Sequence, residues 1–127
     1  MVTREIVPIP NAHKVLAPLS HAVRVGDLLF VSGVPGYFGD RQLAQGDFEA
    51  QCRQALDNLD IILKAAGTSF DRIVKSNVII TRQGDFAKMN ELYRARFTPG
   101  NFPARTTVVC ELAVPGMMIE IECVVAL

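Results

Sequence analysis

Two segments of the chain have the apolar spacing of helices, and each segment has only one apolar stripe. A helix of this kind buries a single face, so each one needs a flat apolar surface to pack against. Asp47 is expected to cap the first helix and Gly67 to follow it, while Asp85 is expected to cap the second, which Thr98-Pro99-Gly100 ends. The two stripes consist of Phe48, Cys52, Ala55, Leu59, Ile62, Leu63 and Ala66, and of Phe86, Met89, Tyr93 and Phe97.

The segments around the two helices have the character of strands. Residues 22–25 and 28–32 flank Gly26-Asp27, a pair that favours a hairpin turn, and residues 72–80 form an apolar run in which Val74, Val78 and Ile80 are expected to share a face. Residues 105–112 and 117–125 flank a Pro-Gly turn. The order of elements predicts an α+β two-layer sandwich, with both helices on one face of a mixed sheet.

The other face of this sheet is predicted to be apolar. Val23, Phe30, Val108 and Val124 are expected to point away from the helices. An apolar face of this size usually marks an association surface, so the sequence predicts a homo-oligomer.

Length and composition limit the remaining possibilities. The 127 residues are expected to form a single domain, residues 1–127, and 13 acidic residues balance 13 basic ones. No basic stripe interleaved with aromatic residues is visible, so no nucleic-acid partner is expected. The segment MVTREIVPIP lacks the features of a signal peptide, and no apolar run is long enough for a membrane span, so the chain is predicted to be cytoplasmic with no membrane partner.

Cysteine and histidine residues give no sign of a metal site. Cys52, Cys110 and Cys123 have no CxxC spacing, and their odd number fits reduced, buried thiols better than disulfides. His13 and His21 stand in separate sequence contexts, so no zinc site is predicted. His21 is interpreted as a surface or interface histidine, because a single imidazole without a partner rarely signals catalysis.

Charged residues at the last two strands are the candidates for chemistry. Alternation places Arg105, Thr107 and Val109 on one face of their strand, and Glu120 and Glu122 together on one face of the next. Arg105 and a glutamate are therefore a candidate pair for a polar pocket. Spacing alone favours the alternative, a solvated cross-strand ion pair.

A collinear series of motifs resembles the RidA family, also called YjgF or perchloric-acid-soluble protein. The series covers most of the chain and consists of VGDLLFVSG, QCRQALDNLDIILKAAG, IVKSNVII, DFAKMNELYRARF, FPAR and IEIE. The resemblance implies a chorismate-mutase-like fold with a six-stranded sheet, assembled as a homotrimer with pockets between subunits.

The resemblance also implies roles for individual residues. Arg105 would hold a substrate carboxylate and Glu120 would position or activate water, as in the family's deaminases. The backbone at Ser32 and Gly33 would approach the substrate nitrogen or a bound water, although an ordinary turn explains Ser32 equally well. Phe86 would wall the pocket, and a core position would be compatible with that role.

Two positions depart from the family pattern. The chain has Leu19 where the best-characterised imine deaminases have tyrosine, and Thr107 where cysteine is frequent. Both are expected to line the substrate-binding pocket, which predicts a different or larger substrate, or lower activity. Tyr37, Ser20 or His21 could supply a substitute polar group.

The resulting hypothesis is hydrolytic deamination of enamine or imine carboxylic acids to 2-keto acids and ammonia. Candidate substrates are 2-aminoacrylate, 2-iminobutyrate or a larger acid such as 2-aminomuconate. An arginine, a glutamate and backbone groups suffice for this reaction, so no cofactor or metal is expected. A trimer that binds a carboxylate metabolite without converting it is the alternative, and ribonuclease activity has the least support.

Overall fold

A computed structural model of the chain describes residues 2–127. It contains six strands and two α-helices: β1 (Arg4–Ile6), β2 (Ala22–Val25), β3 (Leu28–Pro35), α1 (Phe48–Ala65), β4 (Ile73–Ile80), α2 (Phe86–Arg94), β5 (Ala104–Val109) and β6 (Ile119–Ala126). Short 3₁₀ helices, Phe70–Arg72 and Gln83–Asp85, precede β4 and α2. The predicted α+β class is confirmed.

The six strands form one mixed sheet in the order β1-β2-β3-β6-β4-β5. All neighbouring pairs are antiparallel except β4 and β5, which are parallel. Strands β5 and β6 are therefore not neighbours, because β4 lies between them. The Pro-Gly turn forms, with Met117 donating a backbone hydrogen bond to the carbonyl of Val114 over 3.2 Å, but it belongs to a crossover and not to a hairpin.

Both helices cover one face of the sheet, and the core lies between the two layers. The Asp47 carboxylate accepts a hydrogen bond from the Ala50 amide at 3.0 Å, and Gly67 follows α1 with φ of +77°, so both predicted ends of this helix are confirmed. Asp85 precedes α2 but does not cap it with its side chain, because its carboxylate binds Arg82 at 2.9 and 3.0 Å.

A fully buried glutamine joins α1 to the segment before β6. Gln51 donates hydrogen bonds to the carbonyls of Ala44 and Gly116 and accepts one from the Met118 amide, all within 3.1 Å. All three groups that it satisfies are backbone groups, and a buried backbone group without a partner costs about 1–3 kcal/mol. Gln51 thus fixes the position from which β6 begins.

Several sequence predictions need correction. The edge strand β1 was not predicted, and β5 ends at Val109 instead of residue 112 because only Ala104–Val109 pair with β4. Val74 is half exposed rather than on the buried face of Val78 and Ile80, since an irregularity between Ile73 and Lys75 changes the alternation. Phe97 is buried but lies beyond the end of α2.

The face of the sheet opposite the helices is open. Phe30 and Val108 remain 45% and 44% exposed in the isolated chain, and Val74 adds to the same apolar surface. Its polar residues bind each other: Asn77 donates to Glu122 at 3.0 Å and Lys75 donates to Thr106 at 2.9 Å. The expectation of an apolar face is therefore confirmed, whereas the state of assembly remains a prediction.

Candidate functional site

Arg105 lies near the start of β5, below α2. Its register partner on β4 is Ser76, whose side chain is buried, so Arg105 points toward the helical layer. Its Nη2 donates a hydrogen bond to Asn90 Oδ1 at 2.7 Å, and the guanidinium carbon lies 5.0 Å from the ring centroid of Tyr93 and 5.8 Å from that of Phe86. These contacts hold the planar group in one orientation.

No carboxylate within residues 2–127 forms a salt bridge with Arg105. Its one hydrogen bond to oxygen goes to a neutral amide, which leaves most of its donors free. The guanidinium forms part of the lining of a cavity of about 260 Å³, together with Asn90, Tyr93, Arg94, Phe102 and Pro103. A half-buried guanidinium with free donors at a cavity wall can bind an external carboxylate in a bidentate manner.

Phe86 and Thr107 lie near Arg105 but differ in character. Phe86 stays 43% exposed beside the guanidinium, so the alternative of a buried core position is wrong for the isolated chain. Thr107 points toward the helical layer from β5, and its hydroxyl oxygen is buried with no hydrogen-bond partner among residues 2–127. The hydroxyl group of Thr107 is thus a buried polar group that forms no hydrogen bond within the described part of the chain.

Glu120 lies on the open face of the sheet, near the start of β6. Burial raises the pKa of its carboxyl group, and the neighbouring charge of Glu122 raises it further. No hydrogen bond to its carboxylate is formed within the described part of the chain. Since a raised pKa makes a carboxylate a better proton acceptor, Glu120 is suited to take a proton from water.

Gly33 provides the space in which the carboxylate of Glu120 lies. A Cβ atom at Gly33 would lie 2.6 Å from the carboxyl carbon of Glu120, closer than real contacts allow. The predicted Ser-Gly turn is instead an irregularity within β3, between Val31 and Val34, after which pairing with β6 resumes. Ser32 Oγ donates to the Ser20 carbonyl at 2.6 Å, so its hydroxyl has a structural partner.

A cleft of about 430 Å³ contains Glu120, Gly33 and Leu19 in its wall. Leu16, Val114 and Met117 contribute further apolar surface, so most of the wall is hydrophobic. The polar groups are His13, His21, Tyr37, Lys14 and Arg41, all from the segments around β2 and β3.

Two histidines and a tyrosine contact each other in this cleft. The His13 ring lies 4.8 Å from the His21 ring and 5.0 Å from the Tyr37 ring, both edge to face. Burial lowers the pKa of His13, and the nearby charges of His21 and Arg41 lower it further. The interpretation of His21 as a histidine without a partner is therefore wrong, because residues eight positions apart meet when the chain folds back.

Arg105 and Glu120 are not close together within one chain. Arg105 is level with Ser76 of β4, and Glu120 is level with Ile79. Positions three residues apart along a strand point to opposite faces, so the arginine faces the helices and the glutamate faces the open side. The two side chains therefore do not form a pocket within one chain, and their joint role in a pocket between subunits stays a prediction.

Sequence reasoning missed the role of Asn90 as the partner of Arg105 and of Arg41 as part of the Glu120 cleft. Asn90 follows Phe86 by one helical turn, so a helical projection around Phe86 could have indicated it. Arg41 lies in a loop of irregular structure, for which apolar periodicity gives no signal. Within residues 2–127, no cluster of three possible metal ligands occurs, and no helix is long and apolar enough to cross a membrane.

The cysteines also differ from expectation in part. All three are free thiols; Cys52 and Cys123 are buried, and burial raises the pKa of each to about 12. Cys110 is exposed after the end of β5, contrary to the prediction that all three are buried. Cys110 directly follows the last residue of β5, which is an edge strand of the sheet.

The fold places the chain among α+β two-layer sandwiches with a mixed sheet. The model of the family described as Endoribonuclease L-PSP matches residues 9–127, and the chain belongs to this family, which includes proteins named Rid and RutC. A crystal structure of a protein of unknown function from the conserved Rid family, from Yersinia pestis, superposes with a TM-score of 0.92 at 32% identity, covering 98% of this chain and 100% of the other.

Two relatives of this chain are named as deaminases. Reactive Intermediate Deaminase A, chloroplastic, of Arabidopsis thaliana is 34% identical over 99% of this chain and 67% of its own length. The 2-iminobutanoate/2-iminopropanoate deaminase of Mus musculus is also 34% identical, over 97% of this chain and 91% of its own. A structure of Escherichia coli TdcF with bound serine has a TM-score of 0.85 at 28% identity, over 97% of this chain and 98% of the other. Homology thus supports a deaminase function at the level of the family.

Proposed function

We propose that this protein hydrolyses enamine or imine carboxylic acids to 2-keto acids and ammonia. The observation that carries the proposal is the half-buried guanidinium of Arg105, which has no carboxylate partner among residues 2–127. The deaminase names of two relatives and the serine bound to TdcF agree with a small amino-acid-like ligand.

The proposed active site is shared by two subunits. Arg105 and Glu120 face opposite sides of the sheet, so a ligand that touches both requires the arginine of one subunit and the glutamate of another. The exposed apolar residues of the open face, including Phe30 and Val108, give the chain a surface on which to associate. A homotrimer, as the family resemblance implies, would contain three such sites.

Each residue has a definite task in the reaction. Arg105 binds the carboxylate, and an enamine first takes a proton at carbon and loses one from nitrogen to become the imine. Glu120 accepts a proton from water as the water oxygen bonds to the imine carbon, and the C=N electron pair moves to nitrogen, which takes up a proton. The hydroxyl proton of the carbinolamine is then transferred to its nitrogen as the C–N bond breaks, which gives the keto acid and ammonia. Water is the only co-reactant.

Complementation between two inactive variants tests both the reaction and the shared site. Arg105→Ala and Glu120→Gln are each expected to lose more than tenfold in the rate of 2-ketobutyrate release from 2-iminobutyrate. Co-expression of the two chains should restore roughly a quarter of the wild-type activity, the fraction of sites that combine two intact residues by chance. Arg105→Ala co-expressed with the double variant is the matched control and should restore none.

Three results would contradict the proposal. Wild-type protein that does not accelerate imine hydrolysis contradicts the reaction, and an Arg105→Ala variant with full activity contradicts the role of the guanidinium. If the two variants form mixed assemblies but activity is not restored, the shared site is contradicted.

A second candidate function is binding of a carboxylate metabolite without conversion. The observation that favours it is Leu19, which gives the Glu120 cleft an apolar side chain where the better-known deaminases of the family have a phenolic hydroxyl. Calorimetric binding of 2-ketobutyrate, together with no effect on imine hydrolysis, would support this function over the first.

A further inference from the structure

The Glu120 cleft is larger than a short imino acid requires. Its volume of about 430 Å³ lies in the range of sites that enclose whole drug-sized ligands. A four-carbon imino acid would leave most of the apolar wall around Leu16, Leu19 and Val114 in contact with water. The cleft of the single chain therefore has room for a substrate with a longer side chain.

A second guanidinium lies in the wall of the same cleft. Arg41 contributes to the lining together with Glu120. Its charge contributes to the lowered pKa of His13, which lines the same cleft. The cleft therefore contains a cation near His13 as well as the carboxylate of Glu120.

The ionic contacts of Arg41 contribute little to the stability of the fold. Its only ionic contact within residues 2–127 is with Asp40 at 3.9 Å, at the limit of a salt bridge, and the Asp40 side chain is 89% exposed. Such an exposed pair contributes little to stability. The side chain of Arg41 is itself 37% exposed, so a ligand can reach it.

The backbone at Arg41 adopts a conformation that few residues other than glycine adopt. Arg41 is the only non-glycine residue within 2–127 with positive φ, at 51°. It lies at the tip of a tight hairpin closed by two backbone hydrogen bonds between Phe38 and Gln42, at 3.0 and 2.8 Å. A left-handed conformation is unfavourable for a residue with a Cβ atom, and residues in such conformations are common at ligand-binding sites.

We propose that Arg41 binds a second anionic group at the far end of the substrate, which makes this protein selective for 2-imino or 2-enamine acids with a long side chain that ends in a carboxylate. This inference rests on the proposed function for the position of the reacting carbon beside Glu120. The α-carboxylate binds Arg105 of the neighbouring subunit, the methylene chain contacts the apolar wall, and the distal carboxylate binds Arg41.

Matched substrates of equal length test the selectivity. An L-amino acid oxidase generates 2-iminoadipate from 2-aminoadipate and 2-iminohexanoate from norleucine, and 2-iminobutyrate serves as the short reference. We expect wild-type kcat/KM for 2-iminoadipate to exceed that for 2-iminohexanoate by about tenfold or more, the value of one charge-assisted hydrogen bond. Arg41→Gln should remove this ratio and Arg41→Lys should keep part of it. Arg53→Gln, on the outer surface of α1, is the control of equal charge and should keep the full ratio.

Binding of the stable keto acids gives a readout that does not depend on catalysis. Calorimetry should show that 2-oxoadipate binds more tightly than 2-oxohexanoate to wild-type protein, and that Arg41→Gln abolishes the difference. Equal affinities in the wild type, or a preference that survives Arg41→Gln, would overturn the inference. If imines of every length are left unhydrolysed, the proposed function fails, and the binding comparison still decides whether Arg41 recognises a distal carboxylate.

Discussion

Two charged side chains, Arg105 and Glu120, have no oppositely charged partner among residues 2–127, and a bound ligand could supply one. Arg105 is held by a neutral amide and two aromatic rings without a counter-charge, and Glu120 is partly buried without a donor to its carboxylate among residues 2–127. A structural ion pair would have placed these two charges together. Their separation agrees with the proposal that both charges act on an external molecule.

The pH dependence of activity follows from the pKa of Glu120. A proton acceptor must be ionised, so kcat/KM is expected to rise with pH, with a midpoint above the ordinary glutamate value of 4.5 because burial and Glu122 both raise the pKa. Glu122→Gln removes the second cause and should shift the midpoint to lower pH while keeping an acceptor for Asn77. A pH series of initial rates measures the shift.

The control for this experiment is Glu5→Gln. Glu5 lies on β1, which β2 and β3 separate from β6, so its removal should leave the midpoint in place. An equal shift in both variants would show that net charge and not the neighbouring carboxylate sets the pKa. An unchanged midpoint in Glu122→Gln would exclude Glu120 as the titrating acceptor.

Two glycines, Gly33 within β3 and Gly36 directly after it, lie where other elements approach closely, and they differ in what surrounds them. A Cβ atom at Gly33 would collide with the carboxylate end of Glu120, which can rotate away. A Cβ atom at Gly36 would overlap the backbone carbonyl of Gln51 in α1, which cannot move independently of the helix. The lack of a side chain at Gly33 thus makes room for the carboxylate of Glu120. The lack of a side chain at Gly36 lets α1 pack closely against the segment that follows β3.

Alanine substitutions should separate these two roles. Gly33→Ala is expected to lower kcat/KM by more than tenfold with little loss of stability, because only the Glu120 side chain is displaced. Gly36→Ala is expected to reduce the free energy of unfolding by about 1–3 kcal/mol, the usual cost of overpacking. Urea denaturation and imine hydrolysis measured on both variants check the two expectations. Comparable destabilisation by both substitutions would contradict the distinction.

At the scale of the whole molecule, the open apolar face should control assembly and activity together. Phe30→Lys places a charge in the middle of this face, where Phe30 pairs with Val23 and Val124. We expect the variant to dissociate toward the monomer of 13.9 kDa and to lose activity, since the proposed site needs two subunits. Light scattering coupled to size-exclusion chromatography measures the mass. A lysine at exposed Val2, distant in sequence, serves as the matched control.

Much of this fold could be predicted from apolar periodicity and helix caps. The stripe from Phe48 to Leu63 and the cap at Asp47 determine α1 through local interactions alone. The short strand β1 escaped prediction because all three of its residues are exposed and give no alternation. The irregularities in β3 and β4 are set by pairing with β6, which depends on residues distant in sequence.

The candidate site could be predicted only in parts. The family resemblance implied carboxylate binding by Arg105 and activation of water by Glu120, but the placement of the two residues depended on strand order. The Pro-Gly turn favoured a hairpin of β5 and β6, whereas residues 110–118 instead cross β4. Spacing along the chain contains no information on that crossover, so sequence analysis could not show that the two charges face opposite sides of the sheet.

The placement of Arg105 and Glu120 on opposite faces has a genetic consequence under the proposed assembly. A chain with a defective arginine would still present its glutamate to one neighbour and would deprive another neighbour of its partner. A gene that encodes such a chain would lower the activity of the protein made from an intact copy in the same cell. Extreme dilution of the purified protein would also lower its specific activity, because the subunits would separate.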